Sequence, residues 1–279
     1  MNTLKTILLL GILSLMLITI GGYIGGQNGV AIAFIFAMIT NVGSYWFSAP
    51  LALKMSNAQP VDRAQAPELY EIVEELANKA QLPVPTIHII PTQSANAFAT
   101  GRDPQHAAVA VTEGIMQILN REELAAVLGH ELGHVRNRDI LLTTVAAVLA
   151  ATVTTIAHMA LYFTPSDREN NRNPLFYLLL TILAPIAAAI VQLAVSRSRE
   201  LQADASGAKL CGDPMALASA LAKVEQASQV VPFRESNPAL SSLYIIKPDP
   251  QSWFNTLFSD HPSTAERIQR LEAMARGQL

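Results

Sequence analysis

Three side chains near the middle of the chain could act together: those of His130, Glu131 and His134, in the run His130-Glu131-Leu132-Gly133-His134. Histidines four residues apart on a helix share one face, a turn from each other. Two neutral imidazole nitrogens at that spacing can share one Zn²⁺ at about 2.0–2.1 Å. Glu131 then falls beside the ion, placed to hold a water as general base. The chemistry this predicts is metal-assisted hydrolysis.

Such a metal needs a third protein ligand and one open position. Glu200 and Asp204 are one helical turn apart in Arg197-Ser198-Arg199-Glu200-Leu201-Gln202-Ala203-Asp204. If that helix packs on the first, one carboxylate can bind metal while the other accepts the free N–H of a ligand histidine. Spacing alone equally allows an ordinary helix-surface pair, with Arg197 and Glu200 satisfying each other at i,i+3.

The histidine pair must sit on a helix, and the local sequence supplies one. Asn120 stands as N-cap with Glu123 three residues on, the pattern of a capping box. Leu124, Val127, Leu128 and Leu132 form an apolar stripe. Gly129 and Gly133 each weaken a helix by about 1 kcal/mol relative to Ala, which predicts close packing of another element there. Upstream, residues 67–80 read as an amphipathic helix, and 86–90, 96–100 and 106–112 as strands. Residues 113–119 read as a short helix. Downstream, 197–210, 214–230 and 263–274 read as helices, the last with a Ser263/Glu266 capping pattern.

Of 279 residues, 51% are hydrophobic and 15% charged, with a mean hydropathy of +0.29. The apolar residues gather in four runs, 6–23, 30–53, 140–163 and 175–195, which predicts four transmembrane helices. Asn41 and Pro50 are expected to kink or shorten the second. His158 and Gln192 are polar groups at membrane depth, suited to interhelical hydrogen bonds. Lys5, Lys54, Arg136, Arg138, Arg197 and Arg199 all fall on one side of four spans, with only Arg168 and Arg172 opposite. The positive-inside rule puts both termini and the histidine motif in the cytoplasm. The organisation expected is two N-terminal spans (6–53), a cytoplasmic catalytic segment (54–139), a membrane hairpin (140–195) and a second catalytic segment (196–279). A net charge of −3 gives no argument for nucleic acid. The single cysteine, Cys211, excludes an internal disulfide and a thiolate zinc site.

The His-Glu-Leu-Gly-His run, the downstream Ser-Arg-Ser-Arg-Glu-Leu-Gln-Ala-Asp and the C-terminal His-Pro-Ser-Thr-Ala-Glu-Arg-Ile together resemble the HtpX-type membrane zinc metallopeptidases, relatives of the CaaX-type prenyl-protein endopeptidases. The resemblance covers nearly the whole chain. It implies an α-helical membrane protein of the bacterial inner membrane, with four transmembrane helices and an α+β, zincin-like cytoplasmic domain. It implies one Zn²⁺ per chain held by His130, His134 and Glu200, with Glu131 as base and Asp204 beside the ligands. It also likens Asn96-Ala97-Phe98-Ala99-Thr100-Gly101 to the family's edge strand beside the metal. Leu201 departs from the aromatic residue often found there, which bears on pocket shape. The four runs favour the HtpX branch over the prenyl-protease relatives, which have more membrane helices.

The reaction expected is endopeptidase cleavage of polypeptides, with misfolded or damaged membrane proteins as substrates and the lipid bilayer as surroundings. His261 is the candidate oxyanion stabiliser. Arg267 is expected to pair with Asp204 in the interior, next to a ligand histidine. Asn96, Ala97, Phe98 and Ala99 are expected to bind substrate backbone along an open strand edge, a segment within 231–258 covering that edge being the alternative. The rival functions are a non-catalytic adaptor with a structural zinc and a protease for prenylated peptides.

Overall fold

The computed structural model describes residues 2–150, 197–231, 243–245 and 262–278. The second half of the third apolar run, the fourth run, residues 164–174, His158, Gln192 and His261 lie outside the described residues.

The chain opens with α1, Asn2–Met55, helical throughout except at Gly26, whose φ of 56° and ψ of −140° belong to glycine. There the helix folds back on itself as two antiparallel arms. Gly21 meets Gly29 backbone to backbone, and Asn41 Nδ2 donates to Ser14 Oγ across the arms at 2.9 Å. Asn41 therefore joins the arms instead of kinking one, and Pro50 is accommodated inside the helix. Ile32, Ile35, Phe36, Ile39 and Phe47 are all more than half exposed on the second arm, far more contiguous apolar surface than water tolerates. Among the described residues one helix, Gly25–Met55, is long and apolar enough to cross a membrane.

A four-stranded sheet follows, in the order β1-β2-β4-β3. β1 is Gln59–Pro60, β2 Thr86–Ile90, β3 Ala97–Gly101 and β4 Ala107–Thr112. β2 and β4 run parallel, while β3 pairs antiparallel with β4 and forms the edge. Side chains alternate across the sheet as the pleat requires. Ala97, Ala99, Val109 and Val111 face the main core, whereas Phe98 and Ala110 face a second, smaller one.

The main core is closed by α2 (Pro67–Ala80), α3 (Glu113–Ile118), α4 (Arg121–Arg136), α6 (Arg197–Cys211), α7 (Pro214–Val230) and α8 (Thr264–Ala275). The second core joins Phe98 to Ala52 at the end of α1 and to Ala147, Val148 and Ala150 of α5, Ile140–Ala150. The start of the third apolar run is thus domain interior: Ile140, Leu142, Val145 and Ala147 are at most 1% exposed.

α4 begins with the capping box its sequence predicts. Asn120 Oδ1 accepts from Glu123 N at 2.8 Å, and Glu123 Oε2 accepts from Asn120 N at 3.0 Å. The Glu123 carboxylate also accepts from Ser219 Oγ and Lys223 Nζ of α7, each at 2.7 Å.

The glycines of α4 mark where α6 crosses it. A Cβ on Gly129 would lie 3.1 Å from Gly207 O, one on Gly133 3.3 Å from Ser206 Cβ, and one on Gly207 2.6 Å from His130 N. The helices meet backbone on backbone, closer than side chains between them would allow. Gly207→Ala must push the helices apart at His130 and should destabilise the fold by about 1–3 kcal/mol. Gly212→Ala, at a positive-φ turn with open space around it, is the control for a merely local glycine effect. Chemical denaturation and metal titration of both proteins check this: only Gly207→Ala should also lose metal affinity.

Candidate metal centre

The close crossing carries Glu200 from α6 to the histidine face of α4. His130 Nε2 and His134 Nε2 are 3.1 Å apart. Glu200 Oε2 lies 3.7 Å from the first and Oε1 3.6 Å from the second. One ligand atom from each of the three lies within 4.8 Å of the others. Ligands at about 2.0–2.1 Å in a tetrahedron are separated by about 3.3 Å, so this donor set fits a single divalent ion.

Both histidines are oriented from behind. His130 Nδ1 is 2.9 Å from Asp204 Oδ1, which makes Nδ1–H the donor and leaves the Nε2 lone pair for metal. Asp204 is held in turn by Arg267, whose Nε donates to Oδ2 at 2.8 Å and Nη2 to Oδ1 at 2.6 Å. All three are buried. His134 has its own carboxylate, with Asp139 Oδ2 3.2 Å from Nδ1. Asp139 reaches back because α4 ends in a Schellman turn. Arg138 has a φ of 56°, its N–H donates to Val135 O, and Asp139 N–H donates to His134 O.

The electrostatics of the site call for positive charge. Burial lowers the His130 pKa, and the Asp204 carboxylate opposes this. Burial would also lower His134, but Asp139 and Glu200 outweigh it and hold the imidazole at about 10. A divalent ion supplies positive charge at the same place and displaces that proton. Burial pushes Glu131 up to about 8. Its Oε2 accepts from Ala99 N of β3 at 2.8 Å, which ties α4 to the strand edge. Arg199 is buried, not an exposed juxtamembrane charge. Among the described residues its Nη atoms have no hydrogen-bond partner, and it balances the nearby Asp139 and Glu200 carboxylates.

The model of Peptidase family M48 matches residues 63–275. The chain belongs to peptidase family M48. It is therefore a metallopeptidase, and its His-His-Glu group could hold the metal. A Protease HtpX homolog of Burkholderia multivorans is 46% identical over 279 residues, covering 99% of this chain and 98% of its own length. One of Burkholderia mallei gives the same figures. The fold is similar to the crystal structure of S. mikatae Ste24p, with a TM-score of 0.51 at 21% identity. That likeness covers 97% of this chain but only 65% of the other, so this M48 chain spans less than two thirds of that protein.

The structure brings His130, Glu131, His134, Glu200, Asp204, Arg267 and Ala99 to one place. It differs from the sequence expectation at the strand edge, which is not open. All five residues of β3 are buried, packed against β4, α4 and the end of α1, and Leu243–Ile245 meets the edge at Ala97 and Phe98. Ile245 N–H donates to Ala97 O at 3.2 Å, and the outward N–H of Ala99 is already taken by Glu131. Asn96 is buried at 2% exposure, where its carbonyl accepts from Thr112 N and its side chain from Ala97 N. One residue escaped the sequence reading, and one segment was foreseen only as the alternative cover of the edge. Asp139 was signalled only by a carboxylate just past the end of the motif helix. Leu243–Ile245 was visible only as part of a proline-rich stretch.

Asp139→Asn and Asp204→Asn should each weaken metal binding about 10- to 100-fold, the usual effect of losing an orienting carboxylate. Competition with a chromogenic chelator measures this, and Glu113→Gln, away from the site, should bind like wild type. Asp204 also predicts an acid limb. Arg267 and His130 hold it at about 2 against burial. Its contribution is complete above the ordinary carboxylate pKa and is lost as pH falls from about 4 to 2, on the order of 2 kcal/mol. Unfolding of the metal-free protein across that range should show this limb, and Asp204→Asn should lack it.

Proposed function

We propose that this M48 peptidase is a zinc-dependent endopeptidase of the HtpX kind, cleaving exposed polypeptide segments of misfolded or damaged membrane proteins on the cytoplasmic face of a bacterial inner membrane. The observation that carries the reading is the placement of the Glu131 carboxylate. It is buried beside the His130–His134–Glu200 group, with one oxygen fixed by Ala99 N–H.

His130, His134 and Glu200 would hold the ion, which when bound would supply a Lewis acid for the scissile carbonyl and for water. With one oxygen of Glu131 fixed by Ala99, the other is left for water in the small space beside the histidines. There it takes a proton from water and returns it to the leaving amine. A dication alongside favours the carboxylate form that this role needs at neutral pH. Asp204 and Asp139 keep both imidazoles in the tautomer that points Nε2 inward. His261 is retained as the oxyanion donor, and Asn96, Ala97, Phe98 and Ala99 as the surface that meets substrate backbone.

The exposed apolar face of Gly25–Met55 and the basic residues Lys54, Arg136 and Arg138 support a multi-pass membrane protein with the site and both termini inside. Cysteines introduced at residues 164–174 should react with an impermeant reagent on intact cells, and cysteines in α8 should not. The opposite labelling would invert the orientation.

Zinc-loaded protein should cleave casein, and a chelator should abolish this. Glu131→Gln should keep the metal and lose at least 100-fold in turnover, because the amide accepts no proton. Full turnover in a metal-replete Glu131→Gln protein would remove Glu131 from the chemistry. A preference for a prenylated peptide over casein would point to the prenyl-protease reading.

A further inference from the structure

The space at the His130–Glu131–His134–Glu200 group is nearly filled by the chain itself. The remaining cavity is about 20 Å³ and is walled by Leu243, Tyr244 and Ile245 as well as by the site residues. That is room for about one water, not for a peptide.

The occupant is held through the backbone of one residue. Ile245 N–H donates to Ala97 O on the edge of β3 at 3.2 Å. Ile245 O accepts from Arg267 Nη1 at 2.9 Å. Both polar backbone groups of Ile245 are therefore gripped, one by the edge of β3 and one by Arg267, although the segment itself is a 3-10 turn and bends and not a strand. The side chain before it acts as a fastener. The Tyr244 ring packs edge-on against Phe98 with centroids 5.2 Å apart. Its hydroxyl donates to Ser56 Oγ at 3.1 Å, one residue past the end of α1.

We propose that Leu243–Ile245 occupies the substrate's place on β3, and that the Tyr244–Ser56 hydrogen bond latches this closed state to the end of the apolar helix. The inference rests on the metallopeptidase reading of the site. A peptide cannot reach the open side of Glu131 while the segment is there, so cleavage requires exchange: the segment leaves Ala97 O and Arg267 Nη1, and a substrate strand takes them. Because Ser56 follows α1 directly, a shift of that helix relative to the sheet loosens the latch.

When the closed state dominates, apparent substrate affinity falls by the fraction of molecules that are open. Removing one net hydrogen bond from the closed state should therefore tighten binding about fivefold. The test uses full-length protein in the Glu131→Gln background and fluorescein-labelled casein, read by anisotropy. Tyr244→Phe keeps the ring against Phe98 and removes the hydroxyl, and Ser56→Ala removes the other partner. Each should bind casein about fivefold tighter than the background protein, and the double variant no tighter than either alone. With Glu131 restored, kcat/KM should rise by the same factor.

Unchanged or weaker binding by both Tyr244→Phe and Ser56→Ala, with melting temperature and zinc content as in the background protein, would overturn the proposal. Additive gains in the double variant would overturn the latch as well, since the two hydroxyls would then act separately. Ile245→Pro, which lacks the N–H given to Ala97, is a variant outside the latch and should also bind tighter. Tighter binding in these variants together with no casein cleavage by zinc-loaded Tyr244→Phe protein with Glu131 intact would sustain the internal occupant and refute the endopeptidase reading.

Discussion

Everything at the site depends on how closely α4 and α6 can approach. Packed helices ordinarily stand 8–10 Å apart, with side chains setting the distance. Here Gly129, Gly133, Ala203 and Gly207 leave little between the backbones. The two glycines in α4 weaken that helix by about 1 kcal/mol each. In exchange the histidines on one helix meet a carboxylate on the other. A single methyl group at Gly207 would contest that arrangement directly against the backbone of His130.

Close approach also concentrates charge in a dry place. Glu131, Glu200, Asp139 and Asp204 sit among His130, His134, Arg199 and Arg267, nearly all buried. Buried ion pairs are poor sources of stability, since desolvation offsets much of the attraction. Their use here is directional. Arg267 aims Asp204, Asp204 aims His130, and Asp139 aims His134, so the two metal-facing nitrogens are set before any ion arrives. The surplus of carboxylates around His134 then makes a cation welcome.

The sheet serves this centre by its edge. Period-two alternation sends Ala97 and Ala99 toward α4 and Phe98 toward the end of α1. One strand therefore touches the general-base candidate on one side and the apolar helix on the other. Tyr244 bridges the same two neighbours. The polar edge of β3, the apolar helix and the access to Glu131 are in this way mechanically connected through a few residues.

Much of this was legible in the residue order. The helix over residues 67–80 and the helix over 214–230 follow from apolar spacing, and the start of α4 follows from the Asn120/Glu123 box. All of these are local, decided by neighbours within a turn or two. The histidine spacing and the glycines beside it likewise announced a metal-facing helix crossed closely by another. What spacing left open was decided by contacts across long stretches of chain. By spacing alone Glu200 and Asp204 were equivalent candidates; helix crossing puts Glu200 at the imidazoles, while Arg267, 63 residues further on, takes Asp204, a pairing already suggested by their opposite charges. Asp139 became a partner of His134 only through the left-handed turn at Arg138. The edge of β3, free of charge and proline in sequence, is closed because residues nearly 150 positions away lie upon it. A strand's own composition determines that it will form, but which groups meet its outer edge depends on where the rest of the chain returns.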